Sequence, residues 1–548
     1  MDINEGTSNV YRRAGLIILT LCTAGIALAI SINYRQLPIL EFYGFRQTQT
    51  AISSYWMLHE GWQLAYQTPV GGYPWSIPFE FPIYQSIVAF VVSIGGFPLD
   101  PVGRFVSLFF LFACGAPAFG IARRLRLPPE VPWVFTALLW SSPLYLFWGR
   151  TFMIETAATF FTFAAIPYAI DLIDEMPTWR STLLFLFWIT LGLLQKITTA
   201  LPVVIVFSLL IVITHFKTLG LRMPPWQKII RILFAFAVPM IISGLWSYYS
   251  DIVRGQNLIG REMISKSLVI WNFGTLQQRL DLKLFLEVIW NRVCVKNLGA
   301  MVGPIIIGLA FWLGDRRIRS VLLVSLILFL LPIEIFFNVH VIHDYYQVAS
   351  CLFIIGGLSI AIVDLSMRTR WNGSFILLIV AVSFVVLNLY VFKLSYGVLL
   401  DTLRSSVNKS TNKTLLLSSI LQKYTSPDSV IVIYGMEWNS EIPYYAERKS
   451  LMVPLWLGRP DWPGELDWQR KYGEVWKNPE PYLGGLPVSA MVFCNQEGSH
   501  YEIKEVLNNP FVQRRPSLFD VLGCYLWLPA TDKILVPGTN EIILPRDY

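Results

Sequence analysis

Apolar stretches long enough to cross a lipid bilayer recur along this chain between residues 14 and 392. A spanning helix needs roughly 17 to 25 mostly apolar residues, because the hydrocarbon core of a bilayer is about 30 Å thick. Only 14% of the residues are charged, against about 25% in an ordinary soluble domain. The pattern predicts a polytopic α-helical membrane protein with about eleven spans and excludes a plain soluble enzyme. We place the spans at 14–32, 103–121, 131–148, 156–172, 181–194, 199–215, 229–249, 299–314, 320–339, 346–364 and 374–392.

The apolar stretch 81–96 decides on which side of the membrane every later loop lies. Basic residues are enriched in cytoplasmic loops. If 81–96 does not cross the membrane, the basic loops that hold Arg123, Arg180 and Arg316 all lie on the cytoplasmic side. We therefore predict that 81–96 is a juxtamembrane or re-entrant helix in a long first external loop, 33–102.

A second helix is predicted in the same external loop. In the segment 46–59, the residues Ile52, Tyr55, Trp56 and His59 share one side of a helix. An apolar stripe of this kind is typical of an amphipathic helix that lies on the membrane surface.

The composition changes after residue 392, where charged residues and prolines return. The run SVIVIYG at 429–435 predicts a buried strand, and Leu451 to Val453 predict another. We predict a transmembrane catalytic domain at 1–392 and a small extracytoplasmic α/β domain at 393–548. Six cysteines in 548 residues are too few for a disulfide scaffold, although a disulfide between Cys494 and Cys524 is permitted outside the cytoplasm.

Polar residues that could carry chemistry collect at the outer ends of the predicted spans. Carboxylates can take a proton from an attacking hydroxyl, and cations can neutralise a leaving phosphate. The net charge of +7 is spread over short clusters between apolar runs, so it does not indicate nucleic-acid binding. The candidates are Glu41, Arg46, Gln47, Gln49, Glu80, Arg150, Glu155, Lys196, His343, Asp344, Tyr345 and Tyr346.

Several of these residues also have a structural interpretation that the sequence leaves open. Arg150 lies at a span end, where an arginine can extend to the lipid headgroups. Glu155 begins a span and could complement the helix dipole. Lys196 lies in a very short turn, where it is either an interfacial anchor or a phosphate ligand.

Five short motifs resemble those of the membrane GT-C glycosyltransferases. The resemblance is to the dolichyl-phosphate-mannose-protein mannosyltransferases and the bacterial aminoarabinose lipid A transferases. The segment Phe45 to Ala51 (FRQTQTA) resembles their WRQADTA element, and Glu80 to Tyr84 (EFPIY) resembles EFPLY. The remaining matches are Arg150 with Glu155 in the second external loop, the turn Gln195-Lys196, and His343 to Gln347 (HDYYQ) for H-x-Y-Y-Q.

The resemblance implies an inverting transfer of a sugar from a polyprenyl-phosphate carrier to an acceptor. It implies Glu80 or Glu41 as the base, with Glu155 positioning the acceptor or sharing that role. The phosphate would be held by Arg46, Lys196 and Arg150, and the sugar or phosphate site would be lined by His343, Asp344, Tyr345, Tyr346, Gln47 and Gln49.

Two positions depart from the family pattern. Gln49 stands where many members have Asp, and Phe81 stands where the aminoarabinose transferases have Lys. The missing acid leaves the base unassigned between Glu41 and Glu80, and it weakens the case for a divalent metal, which favours clustered carboxylates. We expect no certain cofactor, and a divalent metal is possible but is not supported by these residues.

The expected partners are a polyprenyl-phosphate sugar donor, membrane lipid, and a lipid, glycan or protein acceptor. The expected location is the bacterial inner membrane, with the active site and the C-terminal domain on the extracytoplasmic side. Two other functions remain open: a transporter or flippase of lipid-linked sugar, and a glycan ligase or polymerase that uses a pyrophosphate-linked donor. In a transporter we would expect charges at the bilayer midplane and paired interrupted helices. The charges noted above lie mostly at span ends, which favours the enzyme.

Overall fold

A computed structural model describes most of the chain, and its residues pack into two compact units. The first unit comprises Met1–Gln36, Pro101–Trp246 and Val269–Leu399, and the second comprises Leu37–Asp100, Ser247–Leu268 and Leu400–Tyr548. The described residues are 3–173, 176–219, 225–369, 373–407, 411–455, 468–494, 501–514, 517–529, 531–539 and 541–545.

Helices account for nearly all regular structure up to residue 406. They are Ile3–Asn33, Gly44–Glu60, Ile83–Gly95, Leu99–Ala113, Gly115–Arg124, Val131–Ser141, Pro143–Trp148, Glu155–Asp171, Trp179–Gln195, Ile197–Leu219, Trp226–Gly255, Gly260–Met263, Val269–Phe273, Leu276–Leu280, Leu282–Phe285, Leu286–Val295, Val302–Leu313, Arg316–Ile335, Phe337–Ile342, Asp344–Tyr346, Gln347–Arg368, Gly373–Phe392, Lys393–Gly397 and Val398–Ser406.

Seven stretches of helix in the described chain are long and apolar enough to cross a membrane. They are Tyr11–Asn33, Leu99–Arg124, Ile197–Lys217, Trp226–Gly255, Arg316–Ile335, Asp344–Arg368 and Gly373–Ser406. The other four predicted spans coincide with the shorter helices that begin at Val131, Glu155, Trp179 and Val302. The predicted polytopic helical fold is confirmed, and the chain is an integral membrane protein.

The predicted span 131–148 is broken into two helices at Ser142. Pro143 follows, and Ser142 has the extended backbone (φ −61°, ψ 130°) that a residue before proline prefers. The side chain of Asn297 bridges the break, because its Oδ1 accepts hydrogen bonds from Ser142 Oγ at 2.7 Å and from the Leu144 backbone N–H at 3.0 Å. The second piece, Pro143–Trp148, therefore leads rigidly into the loop that holds Arg150.

A five-stranded sheet forms the core of the second unit. Its strands are β1 (Val430–Tyr434), β2 (Lys449–Val453), β3 (Val488–Phe493), β4 (Leu518–Val521) and β5 (Cys524–Trp527), in the order β2-β1-β3-β5-β4. β1 pairs in parallel with β2 and β3, whereas β5 is antiparallel to β3 and β4. All five residues of β1 are buried, which explains its uninterrupted apolar sequence. The two strands and the small α/β fold predicted for the C-terminal region are confirmed.

Helices and a separate hairpin complete the second unit. The helices after residue 406 are Lys413–Tyr424, Glu441–Ala446, Trp468–Lys477, Glu480–Tyr482, Ile503–Leu507 and Pro510–Arg514, and the hairpin pairs Ile534–Leu535 with Ile542–Ile543. Cys494 and Cys524 form a disulfide. It joins the residue after β3 to the first residue of β5, next to the cross-strand pair Phe493 and Tyr525.

Residues 69–72 of the predicted external loop extend the sheet at the outer edge of β2. The backbone N–H of Ser450 donates to the Pro69 carbonyl at 3.0 Å, and the N–H of Met452 donates to the Val70 carbonyl at 2.9 Å. The N–H of Gly72 donates to the Ser450 carbonyl at 3.1 Å. The segment 37–100 is therefore part of the same unit as the C-terminal sheet. The predicted functional division at residue 392 stays a prediction.

The helix Gly44–Glu60 corrects one expectation about the external loop. The segment is helical as predicted, but Ile52 is fully buried and Trp56 is only 9% exposed. The polar side of the helix is buried too, because Thr48 Oγ1 lies 2.8 Å from Ser440 Oγ and Ser53 Oγ lies 2.8 Å from Thr68 Oγ1. The prediction that this helix lies on the membrane surface is therefore wrong. Its polar contacts stabilise it inside the second unit.

The predicted short helix at 81–96 forms from Ile83 to Gly95. Thirteen residues give a length of about 20 Å, less than the hydrocarbon thickness of about 30 Å. Gly96 ends the helix in the left-handed conformation (φ 62°), and its N–H donates to the Val92 carbonyl. This glycine cap stops the helix before it reaches a spanning length.

Candidate functional site

The loop 149–154 of the first unit holds Arg150 in a fully packed environment. Ser107 Oγ donates to the carbonyls of Thr151 at 2.6 Å and of Met153 at 3.1 Å. Arg150 is 1% exposed, and its guanidinium carbon lies 5.6 Å from the ring centroid of Tyr34. Arg150 is thus held among aromatic rings and does not extend to the lipid headgroups.

Glu155 and Lys196 form a buried ion pair in the first unit. Glu155 is the first residue of its helix, and Lys196 is the single extended residue between two helices. Lys196 Nζ donates to Glu155 Oε2 at 2.5 Å, with the two side chains 10% and 3% exposed. Glu155 Oε1 has no hydrogen-bond partner among the described residues. The pair therefore keeps one carboxylate oxygen available for another ligand.

A glycine contact allows the helices that carry these two residues to approach. A Cβ placed on Gly192 would lie 2.8 Å from Thr162 Oγ1, closer than real side chains come. The Gly192 carbonyl also accepts the backbone N–H of Lys196 at 2.9 Å. The absent side chain at 192 thus lets the Lys196 turn reach the start of the Glu155 helix.

Two tyrosines cover the ammonium group of Lys196. Lys196 Nζ lies 3.7 Å from the ring centroid of Tyr346 and 5.3 Å from that of Tyr345. These distances are within the range of cation–π attraction. The ring of His343 stacks on Tyr345 at 5.0 Å between centroids. The HDYY motif and the Lys196 turn therefore belong to one cluster.

Two further helices, Leu286–Val295 and Lys393–Gly397, bind the HDYY turn and the short helix before it. Asp344 Oδ2 accepts a hydrogen bond from the Tyr396 hydroxyl at 3.2 Å. Arg292 donates to the carbonyl oxygens of His340 at 3.0 Å and Val341 at 2.9 Å. The guanidinium of Arg292 thus binds the end of the short helix that precedes the turn, where carbonyl groups lack helical partners.

His340 lies beneath the same cluster and is 1% exposed. Burial lowers the pKa of His340 to about 3, and the positive charges of Lys196 and Arg292 contribute to the shift. The imidazole is therefore neutral at neutral pH. His340 therefore places a neutral polar ring beside Lys196 and does not add a positive charge to those of Lys196 and Arg292.

The second unit has its own charged cluster around Arg46. Arg46 Nη1 donates to Gln49 Oε1 at 2.7 Å, and Nη2 donates to Glu80 Oε2 at 3.3 Å. Glu80 Oε1 accepts from Gln85 Nε2 at 2.8 Å. Gln49, which replaces the acid of the family motif, is thus a neutral partner of Arg46. Both oxygens of Glu80 are hydrogen-bonded.

Glu41 and Gln47 lie at the start of the same helix. Both side chains are buried, at 3% and 0% exposure. Gln47 Nε2 donates to the backbone carbonyl of Glu41 at 3.2 Å. This bond fixes the approach of the chain to the helix that carries Arg46.

Sequence reasoning missed Arg254 and Tyr66 in this unit. Arg254 is 5% exposed, pairs with Asp251 three residues earlier, and lies 4.8 Å from the ring centroid of Phe79. Tyr66 accepts the N–H of Phe79 at 3.0 Å and donates to the Glu80 carbonyl at 3.1 Å. Burial and the charge of Glu80 raise the pKa of Tyr66. The sequence did contain a signal for Arg254, because Asp251 and Arg254 form an (i, i+3) acid–base pair at the end of an apolar helix.

The candidate residues thus divide into two sets, each within one unit. Glu155, Lys196, Tyr345, Tyr346 and His343 are in mutual contact in the first unit, and Arg46, Gln49 and Glu80 are in contact in the second. Across the described ranges, no three His, Cys, Asp or Glu side chains are grouped as metal ligands. The carboxylates in these two sets are not clustered in the way that a divalent metal favours.

The architecture was compared with known proteins. No protein-family model matches the sequence, and no curated protein matches it. Among solved structures, ArnT from Cupriavidus metallidurans bound to undecaprenyl phosphate has a TM-score of 0.57 at 13% identity, covering 92% of this chain and 97% of ArnT. This chain has the GT-C fold. The resemblance predicted from the motifs is confirmed for the fold.

Two other solved structures are similar to this chain. ArnT from the same organism in the apo state gives a TM-score of 0.53 at 15% identity, covering 94% of this GT-C chain and 98% of that one. The oligosaccharyltransferase of Archaeoglobus fulgidus gives 0.48 at 12% identity, covering 86% and 69%. At these identities the likeness concerns the GT-C fold, so the reaction has to be argued from the side chains.

Proposed function

We propose that this protein is a glycosyltransferase that moves a sugar from a polyprenyl-phosphate donor to a lipid, polysaccharide or protein acceptor. The observation that carries the proposal is the buried Glu155–Lys196 pair, with its tyrosine cover and its free carboxylate oxygen. The GT-C fold shared with ArnT, whose structure contains undecaprenyl phosphate, supports the class of donor.

The first-unit cluster has the chemistry to bind a sugar phosphate at a membrane surface. Lys196 carries a positive charge beside Glu155, and its ammonium group donates N–H bonds. We assign Lys196 to a phosphate oxygen of the donor lipid and Glu155 Oε1 to a hydroxyl of the acceptor. His343, Asp344, Tyr345 and Tyr346 would line the sugar. Arg150 adds positive charge in the same unit.

The proposed reaction is a single displacement at the anomeric carbon. The acceptor oxygen forms a bond to that carbon while the bond from the carbon to the phosphate oxygen breaks, which inverts the configuration. A carboxylate takes the proton of the acceptor hydroxyl. The electron pair of the broken bond leaves on the phosphate, so polyprenyl phosphate is the second product.

The motif resemblance implies Glu80 or Glu41 as the base, and we prefer Glu80. Glu80 belongs to a set of hydrogen bonds with Arg46 and Gln85 that hold its carboxylate in place. Arg46 would contribute to phosphate binding, with Gln47 and Gln49 orienting it. Glu41 remains the alternative base because it is a buried acid on the same loop.

The proposed reaction takes place on the extracytoplasmic face of a bacterial inner membrane. Support comes from the distribution of basic residues, which places the loops with Arg123, Arg180 and Arg316 on the cytoplasmic side. Glu155 and Lys196 lie at the opposite ends of the helices from those loops. The C-terminal region would then also be extracytoplasmic, where the Cys494–Cys524 disulfide can form.

The test is release of polyprenyl phosphate by the full-length protein in lipid nanodiscs. A panel of polyprenyl-phosphate hexoses and pentoses is supplied with a crude envelope extract as acceptor. We expect release with one donor, and loss of release in Glu155→Gln and in Glu80→Gln. The matched control is Glu480→Gln, an exposed acid of the second unit, which should retain full release.

Two results would contradict the proposal. Absence of release with every donor, from protein that remains folded and monodisperse, would exclude a polyprenyl-phosphate transferase and favour a pyrophosphate-linked donor or transport. Full release by both Glu155→Gln and Glu80→Gln would exclude the carboxylate roles while leaving the transferase assignment intact.

A further inference from the structure

An apolar cavity of about 270 Å³ lies within the first unit, apart from the Glu155 cluster. Six helices line it, and they contribute Ala122, Phe135, Ile166, Leu210, Val324 and Gly356 among others. Apart from two serines, Ser320 and Ser325, the lining side chains are apolar. Ser320 donates its hydroxyl to the Arg316 carbonyl at 2.8 Å, so it needs no further partner. A cavity of this composition would bind hydrocarbon rather than water.

The cavity lies toward the membrane end opposite the candidate reaction site. Glu155 begins its helix, whereas the cavity is lined by Ile166 and Ile170 near the end of that helix. Eleven to fifteen residues of α-helix correspond to about 16–22 Å. The cavity is therefore a separate feature and not an extension of the Glu155 cluster.

Exposed arginines flank the segments that line this end of the cavity. Arg123 follows the lining residue Ala122, Arg126 lies between the lining residues Leu125 and Leu127, and Arg316 lies one turn before Ser320. None of the three forms an ion pair with a carboxylate of the described residues.

Two acids near these helix ends are paired with other arginines, since Glu130 pairs with Arg12 at 2.7 Å and Asp171 pairs with Arg124 at 2.6 Å. A third acid, Asp315, caps its helix by accepting the backbone N–H of Ile318 at 2.8 Å. The ion pairs of Glu130 and Asp171 therefore do not involve Arg123, Arg126 or Arg316. An anionic group beside an apolar cavity would complement the charge of these three arginines.

We propose that this cavity and the three arginines form a binding site for an anionic phospholipid. One acyl chain would fill the cavity, and the phosphate would lie at Arg123, Arg126 and Arg316. The apolar lining would hold the acyl chain, and the positive charge of the three arginines would favour an anionic over a zwitterionic headgroup. The site is distinct from the donor and acceptor sites proposed above, and it does not depend on them.

Native mass spectrometry of the full-length protein would test the site. Phosphatidylglycerol and phosphatidylcholine with identical chains would be titrated separately, and polyprenyl phosphate would be added as a competitor. We expect phosphatidylglycerol to bind about tenfold more tightly, which corresponds to about 1.4 kcal/mol. The triple variant Arg123→Gln/Arg126→Gln/Arg316→Gln should lose this preference. Lys393→Gln, which removes an exposed cation elsewhere, should retain it.

A cavity-filling variant tests the position of the chain. A Cβ on Gly356 would lie 3.9 Å from the ring of Phe135, an ordinary contact, so Gly356→Leu has room to extend into the cavity. We expect Gly356→Leu to lose phosphatidylglycerol binding. Gly308→Leu is the control, because it adds the same side chain at an exposed position where a Cβ would meet no neighbouring atom within 4 Å. This variant should bind phosphatidylglycerol normally.

Three outcomes would overturn the proposal. They are equal binding of the two phospholipids, unchanged binding by a folded Gly356→Leu, and complete displacement by polyprenyl phosphate, which would assign the cavity to the carrier. If Gly356→Leu does not fold, phosphatidylglycerol with a photoreactive acyl chain replaces it as the test. Crosslinks to peptides that contain Leu125 or Ser325 would support the site, and crosslinks confined to other peptides would exclude it.

Discussion

Lys196 presents its ammonium group to the face of Tyr346, with 3.7 Å between Nζ and the ring centroid. The ring adds an attraction for this buried cation to the ion pair that Lys196 forms with Glu155. A cation–π contact that is shielded from water contributes about 2 kcal/mol. Because the attraction comes from the ring, the hydroxyl and the ring can be tested separately.

We predict that Tyr346→Leu weakens donor binding far more than Tyr346→Phe. The phenylalanine ring retains the attraction for Lys196, whereas leucine removes it. The KM for the polyprenyl-phosphate donor measures the difference and should rise about tenfold or more in Tyr346→Leu. An equal rise in both variants would show that the hydroxyl, and not the ring, is what matters.

We predict that removing one member of the Glu155–Lys196 pair destabilises the protein. Lys196→Met leaves a carboxylate buried without its partner, which costs about 3–5 kcal/mol. The double variant Glu155→Leu/Lys196→Met should recover most of this stability, because it leaves no buried charge. Thermal unfolding in nanodiscs measures both effects. The double variant should remain inactive, so a return of activity would argue against the proposed roles.

We predict a pH-dependent stability that depends on His340. The folded-state pKa of about 3 lies below the ordinary value of 6.5, so the unfolded state binds a proton that the folded state does not. The contribution of His340 to the free energy of unfolding is therefore fully present above pH 6.5. It falls by about 1.4 kcal/mol per pH unit as the pH decreases from 6.5 toward 3. His340→Asn should show a shallower loss over the same interval. Parallel curves for the two proteins would show that His340 is protonated when folded.

We predict that Glu80→Gln lowers the rate of transfer about 10²-fold or more if Glu80 is the base. The amide can still accept from Arg46, so the fold should be retained. Glu41→Gln is the matched comparison in the same loop. A larger loss of kcat in Glu41→Gln than in Glu80→Gln would transfer the role of base to Glu41.

We predict that the Cys494–Cys524 disulfide stabilises the C-terminal sheet by about 2–4 kcal/mol. The double variant Cys494→Ser/Cys524→Ser removes the link without leaving an unpaired thiol. Limited proteolysis should then cut the region around β5 faster than in the parent protein. Cys22→Ser, which changes an exposed cysteine outside the disulfide, serves as the control and should not alter cleavage there.

The spanning helices and the buried strands were predictable because each has a strong local signal. Long apolar runs have few alternatives to a membrane helix, and the strand Val430–Tyr434 is apolar on both faces because both are covered. The break at Ser142 also had a local signal in Pro143. The β4–β5 hairpin was not predicted, since its turn places Leu522, a residue without a turn preference, in the left-handed conformation (φ 50°).

The candidate site was only partly accessible from sequence. The predicted topology placed Glu155 and Lys196 on the same side of the membrane, but the 2.5 Å contact depends on how their helices pack. The burial of the helix Gly44–Glu60 was missed because its partners Ser440 and Thr68 are brought to it by tertiary structure. Arg292 was missed for a similar reason, since it acts on backbone carbonyls 48 and 49 residues away.

The pairing of residues 69–72 with β2 has a consequence for biosynthesis. A ribosome synthesises the segment 69–72 long before residues 450 and 452, to which its carbonyl groups bind. The early loop therefore has to remain without its hydrogen-bonding partner while the intervening helices are inserted into the bilayer. Translation order makes the second unit the last part of the chain to assemble, and a nascent chain halted before residue 450 would expose an unpaired backbone segment to the quality-control machinery of the cell.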